Sequence, residues 1–93
     1  MTRIFLRAEI IGRTCNNLAI NGFIFGEGTP QVLIIGGVHG DEKEGVALSY
    51  ALMAEFIVNY SYSFALAIVP CLNLDGFLEN TRQNSKNHIH LAV

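Results

Sequence analysis

Ninety-three residues allow one domain at most, and a chain this short buries only about 60–65% of its unfolded surface. A hydrophobic content of 51% against 15% charged residues excludes intrinsic disorder. A net charge of −2, with six scattered basic residues (Arg3, Arg7, Arg13, Lys43, Arg82, Lys86), lacks the basic patch that nucleic-acid binding requires.

Residues 3–11 alternate loosely and are rich in Ile, Phe and Leu, which predicts a strand. Residues 12–17 read as a polar turn. LAINGFIF over 18–25 predicts a second strand, with Asn21-Gly22 as a bulge or tight turn, and EGTP over 27–30 marks another turn. QVLII over 31–35, closed by Gly36-Gly37, has the continuous apolar character of a strand buried on both faces. Residues 41–59 predict a helix. Val46, Tyr50, Met53 and Ile57 recur at helical spacing, Ala47, Ala51, Ala54 and Val58 widen that face, and Asp41, Glu42 and Glu44 load the first turn with favourable negative charge. FALAIVPC over 64–71 predicts the next buried strand, and 73–87 reads as a polar loop. Strand, helix and strand in succession form a βαβ unit with a parallel pair and a right-handed crossover, so the predicted fold class is α/β.

Cys15 and Cys71 are far apart and form no CxxC, which points to reduced thiols in a cytoplasmic protein. The N-terminal apolar stretch is broken by Arg7 and Glu9, so it has no signal-peptide core. The longest uncharged run, 56–74, carries Asn59, Ser61, Ser63, Pro70 and Asn73 and is too polar to span a membrane. The high apolar content suits a buried sheet and points to the N-terminal piece of something larger. Central strands without neighbours would then expose an apolar edge and leave the chain marginally stable.

In an open α/β sheet, ligands bind beyond the carboxyl ends of the strands. Those ends fall at 36–42 and 70–76. In the first, Gly36-Gly37-Val38-His39-Gly40-Asp41-Glu42, the glycines allow a sharp turn and His39 and Glu42 stand three apart. An imidazole and a carboxylate this close could hold one zinc ion, or form a simple solvated pair. Gly36, Gly37 and Gly40 do not make the dinucleotide-binding GxGxxG. In the second, Asn73, Asp75 and Gly76 are turn formers, while Arg82 offers a rigid fork of donors suited to an oxyanion or a carboxylate.

GGVHGDE, a helix, a strand ending in PCLNLDGF and then TRQN, in that order, resemble the M14-type zinc carboxypeptidases over about 31–87. The HGDE form looks most like the bacterial murein-peptide amidase branch. The resemblance implies a mixed, mostly parallel sheet with flanking helices, truncated here. Residues 1–93 would be the N-terminal portion of one zinc-carboxypeptidase-like domain, and 88–93 a divergent tail. It implies Zn2+ held by His39 and Glu42 as two of three protein ligands. It makes Arg82 the catalytic residue that polarises the scissile carbonyl and stabilises the oxyanion. Asn84, with Arg82, would shape the substrate site, and Asp75-Gly76 would be a structural turn. The implied partner is a small peptide, such as a cell-wall peptide, cut at an amide bond by zinc-activated water.

Leu74 stands where that family has Pro, and Asp41 replaces the basic residue of the digestive branch. The tail His88-Ile89-His90-Leu91-Ala92-Val93 departs from the family's Val-Asp-Leu-Asn-Arg-Asn, an expectation of truncation or frameshift near residue 88. The third zinc ligand and the general base would lie downstream. His88 and His90 form an HxH pair whose rings could share one side of a strand, against the expectation of a frayed tail. Cys71 is expected as a small buried thiol. Two alternatives stand beside the peptidase. One is a relative of aspartoacylase and succinylglutamate desuccinylase, which share HxxE and cleave N-acyl amino acids; the Asn-x-Asp-Gly and Arg-x-Asn patterns favour the peptidase branch over it. The other is a non-catalytic remnant.

Overall fold

A computed structural model describes residues 6–81 and the backbone of 89–91. The elements are β1 (Leu6–Thr14), β2 (Ala19–Phe25), β3 (Pro30–Ile35), α1 (Lys43–Val58), β4 (Ala65–Val69), α2 (Leu74–Glu79) and β5 (Ile89–Leu91). The strands form one five-stranded mixed sheet in the order β3-β4-β2-β1-β5. The α/β fold is as expected, and β3 and β4 are the parallel pair of the predicted βαβ unit. The pairings of β1 with β2, β2 with β4 and β1 with β5 are antiparallel.

β1 continues through Gly12, Arg13 and Thr14, where a polar turn was expected, and the turn is confined to 15–18. The buried Thr14 makes this possible, since its Oγ1 accepts the Leu18 N–H at 3.1 Å while its N–H donates to Leu18 O at 2.9 Å. The register shift lies in β1 between Ile10 and Gly12, not at Asn21-Gly22. Gly22 explains the exchange: a Cβ there would sit 3.0 Å from Ile11 Cγ2, so the missing side chain makes room for the bulged Ile11.

α1 buries Val46, Ser49, Met53 and Phe56, whereas Tyr50 and Ile57 of the predicted face are 54% and 51% exposed. Periodicity could not choose a face because Lys43, Glu44 and Glu55 are the helix's only charged residues. The choice is made by contact. Met53 and Phe56 pack on Phe25, Leu66 and Ile68, and the Phe25 and Phe56 rings meet edge-on at 5.4 Å. Ser49 fits under the bare Cα of Gly36, satisfying its hydroxyl on Gly45 O at 2.8 Å. Tyr60 closes the cluster and donates its hydroxyl to Phe64 O.

β3 is not buried on both faces. Among the described residues it is an edge strand paired with β4 alone, leaving Val32, Leu33 and Ile35 at 40%, 60% and 43% exposure. On the sheet face away from α1, an apolar cavity of about 280 Å³ runs between Ile11, Gly22, Ile24, Leu33, Ala67 and Val69. The tail also departs from expectation. The backbone of Ile89–Leu91 is not frayed but pairs with β1, setting Leu91 opposite Gly12 and Ile89 opposite Thr14, because the outer edge of β1 offers free backbone groups. His90 lies opposite Arg13; its side chain, and His88, lie outside the described residues. No helix among the described residues is long and apolar enough to cross a membrane.

Candidate metal centre

The loops leaving β3 and β4 lie side by side at one end of the sheet. Their pairing outlasts the strands: Gly36 N–H donates to Val69 O at 2.8 Å, Leu72 N–H to Gly36 O at 3.0 Å and Asn73 N–H to Gly37 O at 2.9 Å. Gly37 has φ +64°, and a side chain there would strike Val46 and Cys71. Gly40 is pressed still closer against α2. A Cβ on it would fall 2.2 Å from Gly76 C and 2.3 Å from Thr81 O. The sequence's two constellations are therefore in contact through backbone.

α1 begins at Lys43, two residues later than predicted, so Glu44 is the acid of its first turn and Glu42 is the cap residue. The Glu42 side chain makes no capping bond to the helix. Its Oε1 lies 3.0 Å from His39 Nδ1, and its N–H donates to His39 O at 3.1 Å, which closes the turn that brings the two together. Both side chains are solvent-accessible. Two donors each about 2.1 Å from a tetrahedral zinc would stand about 3.4 Å apart, so this pair converges as two ligands of one ion must. Nitrogen and carboxylate oxygen are donors zinc accepts. Among the described residues, no third His, Cys, Asp or Glu joins them.

The expected polar loop contains α2, and Asn73 and Asp75 account for it. Asn73 Oδ1 accepts the Gly76 N–H at 3.1 Å and caps the helix; Asn80, at φ 57°, ends it, and Thr81 N–H returns to Gly76 O at 2.7 Å. Asp75 is 1% exposed and reaches across the fold, its Oδ2 accepting the Asn16 N–H of the β1–β2 turn at 3.1 Å. Its Oδ1 has no hydrogen-bond partner among the described residues. Sequence reading placed Asp75 in a local turn; a tie spanning 59 residues leaves no local signal. Sequence reading also missed Lys43, whose Nζ donates to Phe77 O at 2.6 Å and sits 3.8 Å from the centre of the Phe77 ring. Cys71 is half-buried rather than buried; burial pushes its thiol above the usual range, and Lys43 pulls the other way. Arg82 and Asn84 lie outside the described residues.

The mixed sheet with its flanking helices matches the aspartoacylase and zinc-carboxypeptidase-like fold. The solved structures it resembles include an aspartoacylase family protein from Mesorhizobium loti, at 24% identity and TM-score 0.67 over 90% of this chain and 27% of that one. A succinylglutamate desuccinylase/aspartoacylase from Rhodobacter sphaeroides matches at 24% identity and TM-score 0.63, over 86% of this chain and 26% of that one. A candidate metallopeptidase from Shewanella amazonensis matches at 24% identity and TM-score 0.61, over 89% and 32%. The chain thus spans about a quarter to a third of the structures it matches. No curated protein sequence matches it significantly. A model of the succinylglutamate desuccinylase/aspartoacylase catalytic domain matches residues 28–88, and the chain belongs to that family. The match falls on the deacylase side of the superfamily rather than specifically on the murein-peptide amidase branch that sequence resemblance put first.

Proposed function

We propose that this chain carries the metal-binding half of a zinc-dependent hydrolase that removes the acyl group from an N-acyl amino acid. The 3.0 Å approach of His39 Nδ1 to Glu42 Oε1, inside the matched residues 28–88, carries the reading. His39 and Glu42 would hold the ion, which when bound supplies a polarised carbonyl and an activated water. Arg82 is the residue proposed to stabilise the oxyanion, with Asn84 beside it. The third ligand and the general base would come from outside the described residues.

The patterns that favoured a peptidase weigh less once their contacts are seen. Asn73 caps a helix and Asp75 ties down a distant turn, so they serve the fold and do not read a substrate. A cell-wall peptide amidase is the competing reading. Calorimetric zinc titration of the chain, with His39→Ala and Glu42→Ala alongside, tests the proposal. One-to-one binding lost in both variants supports it; zinc binding that both variants retain unchanged refutes it. In a protein that also supplies the third ligand and the general base, hydrolysis of N-acetylaspartate and N-succinylglutamate, against a γ-glutamyl-diaminopimelate peptide, separates the two readings.

A further inference from the structure

We propose that Lys43 is a positioning residue that clamps the two loops of the candidate site together; this rests on the hydrolase reading above. Lys43 directly follows Glu42 and opens α1. Its ammonium is not left to solvent. It donates to Phe77 O at 2.6 Å and lies over the Phe77 ring at 3.8 Å, in the middle of α2. A lysine normally spreads its charge into water, so a short charge-assisted bond to one carbonyl, combined with a ring contact, fixes the geometry between two elements.

α2 needs such an anchor. At six residues it is too short to be stable by itself, and it has no basic residue of its own in its last turn. Its N-terminal end is held by Asn73 and by the Asp75–Asn16 tie. At its C-terminal end, Phe77 O also accepts the Asn80 N–H, so the clamp acts on the bonds that end the helix. From there the chain passes through Thr81, against Gly40, directly into Arg82. Glu42, on one loop, and Thr81, on the other, are thus joined through one side chain. The lysine sets the spacing between the His39–Glu42 pair and the C-terminal end of α2 without touching the donor atoms of the pair.

Amide hydrogen exchange on the full 93-residue chain, with Lys43→Met, Lys43→Gln and Lys43→Arg, tests the clamp. In Lys43→Met, the Asn80 and Thr81 amides should lose protection about tenfold or more, while Asn59 at the end of α1 and the amides of β4 stay as in the parent. Lys43→Arg should restore most of the protection, since it keeps both the donor and the ring contact. Lys43→Gln keeps a donor and is the measured variant if Lys43→Met does not fold. Unchanged protection at Asn80 and Thr81, an equal loss across all elements, or failure of Arg to rescue would each overturn the clamp. Zinc titration of the same variants reports separately on the hydrolase reading: His39–Glu42 affinity should persist in Lys43→Met even as α2 loosens.

Discussion

Gly40→Ala should break the candidate site without removing any ligand. The substitution adds one methyl group, which would sit 2.2 Å from Gly76 C, 2.3 Å from Thr81 O and 2.5 Å from Phe77 N. All three are backbone atoms, so no side chain can swing away. Ordinary contact starts near 3.4 Å, and the loop carrying His39 must therefore retreat from α2 by about 1 Å. Overpacking of this kind typically costs about 1–3 kcal/mol, and an unyielding backbone puts this site at the upper end. A chain this size has roughly 5–14 kcal/mol of stability in all. A loss of about 3 kcal/mol would lower Tm by roughly 12–24 °C. Gly45→Ala is the matched control. It lies inside α1, and its added methyl finds its nearest neighbour, Gly37 N, at 3.6 Å. Exchanging helical Gly for Ala should therefore stabilise the chain by about 0.5–1 kcal/mol. Urea denaturation of both variants measures the difference. A Gly40→Ala midpoint equal to the parent's would refute the claim that the loop and α2 are in hard contact.

Other outcomes follow from the packing. Phe25→Ala removes a fully buried ring that meets Phe56 and Tyr60, and should cost about 3–5 kcal/mol in urea denaturation. Asp75→Leu leaves the Asn16 N–H without its acceptor and should cost about 1–3 kcal/mol, whereas Asp75→Asn retains that acceptor and should cost less by the same assay. Burial raises the Cys71 thiol above 9.0, and burial, then Tyr62, raises the Tyr60 hydroxyl above 10.0. Both groups hold their protons more tightly when folded, so their stabilisation is complete below about pH 9 and is lost as pH climbs through the folded values. Thermal melts between pH 8 and 11 should show that decline, with a smaller drop in Cys71→Ala. Leu33→Lys places a charge on the open edge of β3 and should reduce light scattering at high protein concentration with little change in urea midpoint.

Much of the architecture was legible along the chain. Apolar runs closed by Gly36-Gly37 and by Pro70 marked β3 and β4, the stretch between them was long enough only for a crossover helix, and HxxE at a strand end placed the candidate donor pair. These features are local: each depends on a few consecutive residues and on the sense in which a βαβ unit must turn. Other features were not legible, and three of them share one reason. α1 is apolar on nearly every side, so its buried face was chosen by Phe25, Leu66 and Ile68 and by the fit of Ser49 under Gly36, not by its own periodicity. β3 has the composition of an interior strand, yet its exposure was set by which neighbours the sheet supplied. Asp75 and Lys43 look like an ordinary turn residue and an ordinary helix-start cation until the Asn16 N–H and the Phe77 carbonyl are brought to them across 59 and 34 residues. The sequence determined β1 to β4, the crossover helix and where the candidate His39–Glu42 pair sits. Tertiary structure alone decided which faces were covered and which polar groups met, because those depend on partners distant in the chain.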